Sequence, residues 1–333
     1  MRGRVQIESV GSVVLKENAL RDPRLRHVPV YLPPSYGTVR GRRYPVIYCL
    51  AGFTSTGRSF LNFNPWRENL PERFDRLLAA GRAREAVLVM PDCFTALGGS
   101  QYLNSSATGR YEDHVVHELV AFFEDKLSLS RRPAGRAIVG KSSGGYGALM
   151  LAMKHPDVFG HAASHSGDMF FEVCYGGDIP KFVTALGKYS GSVDRFLKAF
   201  LAARDKEGFD HALVNLTAMS ACYSPNPKSR RGFDLPCDCR TGEIVPEVWA
   251  RWKALDPVCA AARFRANLKK LKTIFFDCGT RDEFHLHLGA RKFAQALKNL
   301  GVRHDYEEHG LGHFDMAERW DRSLALLSRQ LKA

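Results

Sequence analysis

The chain has 333 residues, 45% hydrophobic and 25% charged, enough to bury one large core and unlike a disordered or fibrous polypeptide. No apolar run approaches the ~18 residues of a membrane-spanning helix, and eight cysteines are too sparse for a disulfide scaffold. The net charge of +13 would steer anionic molecules, but the arginines are scattered and no nucleic-acid-binding signature accompanies them.

The opening segment MRGRVQIESVGSVVLKE alternates in character and lacks the apolar core of a secretory signal. The expectation is a cytoplasmic protein with no membrane and no nucleic-acid partner. RVQIESVGSVVL and RHVPVYLPP alternate and should form an antiparallel start. YPVIYCLAG, EAVLVMPDC, GRAIVGKS, HAASHSG and KTIFFDCG are mostly continuous apolar runs, as strands covered on both faces should be. RHDYEEHG is the last strand candidate. Helical patterns fall between them at LPERFDRLLAAGRA, RYEDHVVHELVAFFEDKL, GYGALMLAMKHP, LGARKFAQALKNLG and MAERWDRSLALLSRQLK. Leu324, Leu327 and Leu331 in the last of these share one face, the pattern of core packing.

This alternation predicts an α/β protein with a mostly parallel central sheet flanked by helices, one domain over residues 1–333. The rhythm breaks from Asp168 to Leu268, a stretch with helical patches, many prolines and no clear βαβ unit. An insertion at 168–268, after the strand that follows the serine-turn helix, is expected to form a cap over the carboxyl edge of the sheet. Trp249 and Trp252 within it suit an apolar lid face or plain packing.

The turn Gly140-Lys141-Ser142-Ser143-Gly144 fits G-x-S-x-G, directly after a strand and before a helix. That context is what a nucleophile elbow requires, because a tight reversal leaves no room for side chains two positions either side of the central residue. Centring the pattern on Ser142 puts glycine at both flanks; centring it on Ser143 puts Lys141 where glycine is needed. Ser142 is therefore the candidate nucleophile, and Ser143 supplies a backbone N–H to an oxyanion site. A serine nucleophile needs a base and an acid to orient it. Asp282 lies past the end of the strand TIFFDCG and is preferred as the acid over Asp277, inside the strand, and over Glu283. His313, beyond Gly310 and Gly312, is preferred as the base over His309. Gly52 permits close backbone approach in the loop after the third strand, and the N–H of Phe53 is the second oxyanion donor. His285 and His287 stand at a helix start without the further ligands that a metal would need. Cys237 and Cys239 lack a second pair at zinc spacing, and Cys49, Cys93 and Cys278 sit in apolar runs as buried thiols. No metal or organic cofactor is expected.

With these residues in place, the chain resembles the putative esterase family of α/β-hydrolases, which includes esterase D (S-formylglutathione hydrolase), enterochelin esterases, feruloyl esterases and mycolyltransferases. The resemblance runs from about Tyr31 to the C-terminus through LAGFTSTGRSF, GKSSGGYGALMLAMKHPDVF, GTRDEF and GLGHFDM. It implies the α/β-hydrolase fold and a serine carboxylesterase acting on a small-molecule ester, with Ser142, Asp282 and His313 as triad. Thioester hydrolysis and acyl transfer would use the same residues. Ala51 and Lys141 stand where relatives often carry His or Ser and His, which leads away from a glutathione thioester. By position, Gly52, Gln101, Tyr102 and Asn104, with Ser105, are candidates for substrate binding. A non-catalytic binding module with a basic surface is the distant alternative. Dimers are the commonest assemblies, so a homodimer is allowed for.

Overall fold

In the computed structural model, which describes residues 1–333, the eight strand-like runs become the eight strands of one sheet. They are β1 (Arg4–Gly11), β2 (Leu25–Leu32), β3 (Val46–Leu50), β4 (Val87–Val89), β5 (Arg136–Lys141), β6 (His161–His165), β7 (Thr273–Gly279) and β8 (Asp305–His309). Their spatial order is β1-β2-β4-β3-β5-β6-β7-β8. β2 pairs antiparallel with β1 and with β4, and all later pairs are parallel. The strands β3, β4, β6 and β7 are buried along their whole length, whereas the edge strands β1 and β8 are partly open.

Five helices matter most for the site: α1 (Leu70–Ala79), α2 (Ser143–Lys154), α3 (His211–Tyr223), α4 (Leu286–Asn299) and α5 (Arg319–Gln330). Alternation along each strand divides the core into two layers. Ile47, Cys49, Val139, Ala163 and Phe275 pack against Phe74 and Leu77 of α1 and Leu324 and Leu327 of α5. The intervening residues Val46, Tyr48, Leu50 and Ile138 pack on the opposite face with Leu151 and Ala152 of α2. Fully burying a side chain of leucine size contributes about 1.5–3 kcal/mol, so these layers fix which edge of the sheet is open. Sequence sets the helix starts as well. Asn69 and Glu72 form a reciprocal capping box at α1, and Asp210 accepts from the N–H groups of Ala212 and Leu213 at α3. The predicted helix after Arg110 is helical over 111–126 but widens to a π-helical stretch at His114–Leu119.

Between β6 and β7 the chain forms seven α-helical segments, including Ile179–Leu186, Val193–Ala202, α3 and Pro246–Lys253. Trp252 is fully buried among them, donates Nε1–H to Ser224 Oγ at 2.9 Å and stacks on Trp249. Its role is packing. No helix is long and apolar enough to cross a membrane. The registers Lys141–His165, His165–Asp277 and Glu307–Asp277 align the parallel strands. The loops after β3, β5, β6, β7 and β8 therefore open on one edge, where sheets of this kind bind ligands.

Candidate active site

Ser142 occupies the turn between β5 and α2 with φ 57° and ψ −128°, in the left-handed half of backbone space that a non-glycine residue enters at a cost of about 1–3 kcal/mol. The surrounding structure enforces it. A Cβ on Gly140 would collide with the backbone of Gly144, and a Cβ on Gly144 would collide with the carbonyl of Leu50. Ser142 N–H donates to the carbonyl of His165 at 2.9 Å, tying the turn to β6. The N–H of Ser143, first residue of α2, has no partner within the helix and lies at the positive end of its dipole.

The loop after β3 runs beside this turn. A Cβ on Gly52 would lie 3.6 Å from Ser142 Cβ, so the two backbones are close neighbours. Thr54 has φ 63° and donates its N–H to the carbonyl of Gly98 at 2.8 Å. That anchor leaves the N–H of Phe53 without a backbone acceptor.

Asp282 lies three residues beyond the end of β7 and accepts from Nδ1–H of His313 at 2.8 Å. Its other oxygen accepts from the N–H of Phe284 at 3.0 Å. Burial raises the carboxyl pKa, but the His313 ring and these donors outweigh it and hold Asp282 below its ordinary value. Both side chains are almost fully buried. The loop carrying His313 is pinned from beneath, because its backbone N–H donates to Glu283 Oε2 at 2.6 Å. Phe284 packs edge-on against the imidazole at 4.8 Å between centroids. With Nδ1 committed to Asp282, Nε2 is the nitrogen left for chemistry.

Ser142 and His313 line one cavity of about 460 Å³, together with Gly52, Phe53, Lys141 and His211. No direct hydrogen bond joins them here; such contacts often tighten only when substrate binds. Burial lowers the pKa of Lys141, and Asp282, Glu283 and Asp315 pull it back. An apolar chamber of about 550 Å³ lies across Phe53 and His211.

The remaining sequence candidates have other duties. Asp277 is buried inside β7, accepting from His165 Nδ1–H at 2.8 Å and Arg319 Nε–H at 2.7 Å. His309 stands 4.0 Å from that carboxylate and lines a separate surface groove. Of the proposed substrate contacts, Gly52 lines the cavity and the other four do not. Gln101 and Tyr102 both take positive φ, which turns them inward. Tyr102 donates to the carbonyl of Ala51 at 2.6 Å, and Gln101 joins a buried network around Asp168. Asn104 is exposed, accepting from the N–H of Asp113, while Ser105 donates to the carbonyl of Ala221. Sequence reasoning missed Asp168 and His211. Asp168 had a usable signal, since it follows a parallel strand at its carboxyl end. His211 had none, because it reaches the site from a helix between β6 and β7, outside every motif.

Residues 21–327 match the family model described as putative esterase. The chain belongs to that family. Esterase Rv1288 of Mycobacterium tuberculosis is 33% identical over 141 residues, 42% of this chain and 28% of that protein. The curated relatives it matches are covered over 58% or less of their own length. Among solved structures, a ferulic acid esterase superposes with a TM-score of 0.62 at 21% identity, over 99% of this chain and 100% of the other. An S-formylglutathione hydrolase from Agrobacterium tumefaciens gives 0.61 at 16%, over 99% and 96%. At these identities the likeness is one of fold, and it agrees with the α/β-hydrolase architecture expected from the sequence.

Proposed function

We propose that this member of the putative esterase family is a serine carboxylesterase that works through an acyl-enzyme on Ser142. The observation that carries the reading is the strained turn holding Ser142 in one cavity with His313, whose Nδ1 is already committed to Asp282. His313 Nε2 takes the proton as Ser142 Oγ attacks the ester carbonyl, and later returns it to the departing alcohol. Asp282 holds the ring in the required tautomer and stabilises its positive charge. The N–H groups of Phe53 and Ser143 donate to the oxyanion, and losing one such donor typically costs about 3 kcal/mol of transition-state stabilisation. His313 then activates water, which releases the acid and restores the hydroxyl. None of these steps needs a cofactor.

The test is Ser142→Ala. It should fold normally and lose roughly 10⁶-fold in kcat on p-nitrophenyl acetate. Covalent labelling by a fluorophosphonate should vanish with it. Undiminished turnover in Ser142→Ala would overturn the assignment. Product analysis with competing thiol and alcohol acceptors separates hydrolysis from thioester cleavage and acyl transfer.

A further inference from the structure

A carboxylate beside Ser142 takes no part in that reaction. Asp168, three residues past the end of β6, is 6% exposed. Its Oδ2 accepts from Tyr175 OH at 2.9 Å, Gln101 Nε2 at 3.0 Å and Ser143 Oγ at 3.1 Å. All three donors are neutral. Oδ1 has no donor at all. Burial pushes the carboxyl pKa up, opposed by the hydrogen bonds from Gln101 and Tyr175.

Asp168 helps bound a small nook of about 40 Å³, with Ser142, Ser143, Tyr175, His211 and Asn215 also on its walls. A water needs about 10–15 Å³ of such space, so the nook has room for roughly three or four non-hydrogen atoms. Two acceptors on its wall, Asp168 Oδ1 and Asn215 Oδ1, accept no hydrogen bond. Asn215 turns Nδ2–H toward Asp178 at 3.2 Å, which leaves its own Oδ1 without one. Behind Asp168, Gln101 Oε1 is buried and unpartnered. Buried acceptors are almost always satisfied, so unpaired acceptors on the wall of a nook fit a ligand that brings a donor.

We propose that this nook receives the acyl group of the substrate, and that Asp168 selects acyl groups bearing a hydroxyl or ammonium on the carbon next to the carbonyl. The proposal rests on the ester-hydrolase reading and extends it to a substrate class, short α-hydroxy or α-amino esters. Asp168 is then a specificity-determining residue, since a methyl group at the same place would leave Oδ1 buried without a donor.

Ethyl propionate, ethyl glycolate and glycine ethyl ester differ only in carrying CH₃, OH or NH₃⁺ at that place. Their kcat/KM values, followed by pH-stat, are each divided by the ester's own rate of hydroxide hydrolysis to remove intrinsic reactivity. A hydrogen bond to a charged group predicts that at least one donor ester exceeds propionate by about tenfold or more. The two donor arms tell hydroxyl from ammonium. In Asp168→Asn, which keeps the shape and loses the charge, the preference should fall toward unity. Equal normalised rates for all three esters in the wild type overturn the proposal. So does an Asp168→Asn variant that slows all three alike, as Ser143→Ala would if Asp168 merely held Ser143 in place. Should Asp168→Asn not fold, competitive inhibition of the wild type by glycolamide, glycinamide and propionamide reads the same selectivity. Inhibition no stronger for the two donor amides than for propionamide overturns the proposal. Because these amides need only bind, they test the nook even if no ester is turned over and Ser142 takes no label, the result that would count against the esterase reading itself.

Discussion

Two aspartates five positions apart, one in β7 and one just beyond it, each hold a histidine ring at 2.8 Å, yet only one pair opens on a cavity. The inner pair even continues to a serine. Asp277 accepts from His165 Nδ1–H, and His165 Nε2 shares a 2.8 Å hydrogen bond with Ser323 Oγ, all three side chains buried. The outer pair, Asp282 and His313, has no completed bond to Ser142. By hydrogen bonding alone the inner trio is the better Asp-His-Ser line. It has no route for substrate, its serine lies within the regular helix α5, and Arg319 neutralises its aspartate. On the proposed reading, reactivity follows from the open edge of the sheet, the strained turn and the free N–H groups, none of which the inner trio has.

The sharpest way to break this contrast is to make the same substitution in both places. Asp282→Asn should keep its fold and lose roughly 10⁴-fold in kcat, because the amide favours the wrong imidazole tautomer. Asp277→Asn should leave the kcat of folded protein near wild type and lower stability by about 3 kcal/mol, as breaking a buried pair does. Ester kinetics beside urea unfolding measures both. If Asp277→Asn abolished turnover at unchanged stability, the two pairs would have to exchange roles.

Acid titration sharpens the same contrast at smaller amplitude. Burial raises the pKa of Asp277, but His165 and Arg319 together hold it below its unfolded value of 3.8. A carboxylate depressed in this way stabilises the fold above the unfolded value, and the contribution disappears as pH falls through the folded one. Unfolding free energy should therefore drop on acidification below about pH 4, and Asp277→Asn should show a shallower fall. Asp282 has the same sign, from His313 and backbone donors but no guanidinium. Its Asn variant should flatten the curve less. An unchanged acid limb in Asp277→Asn would show that its partners do not depress it.

What sequence could foretell follows the range of the forces involved. Strand runs, the glycines around Ser142 and the placement of Asp282 and His313 after strand ends all come from local pattern and short-range sterics, and the fold agrees with them. Residue type misled at Gln101, Tyr102 and Asn104, because a polar side chain says nothing about whether its hydrogen bonds point inward. Positive φ at Gln101 and Tyr102, which no motif announced, commits two of them to the interior. The inner trio was equally hidden, since it joins residues 112 and 158 positions apart. So was the approach of His211, whose ring lies 5.6 Å from Phe284 across more than seventy residues of chain.

The smallest expected effect on stability comes from the two serines, and it runs in opposite directions. Ser323→Ala strips His165 Nε2 of its partner in a buried site, which should cost about 1–3 kcal/mol and leave ester turnover untouched. Ser142→Gly should abolish turnover and, by placing glycine at φ 57°, relieve backbone strain and stabilise the fold by up to about 1 kcal/mol. Thermal unfolding and ester kinetics on the two proteins decide it. A stabilised, inactive Ser142→Gly beside a weakened, active Ser323→Ala would mean that the protein spends stability on one serine to hold it reactive and gains stability from the other by keeping it out of reach. Matching losses of stability in both variants would remove strain at Ser142 from the account and leave only access to separate the two.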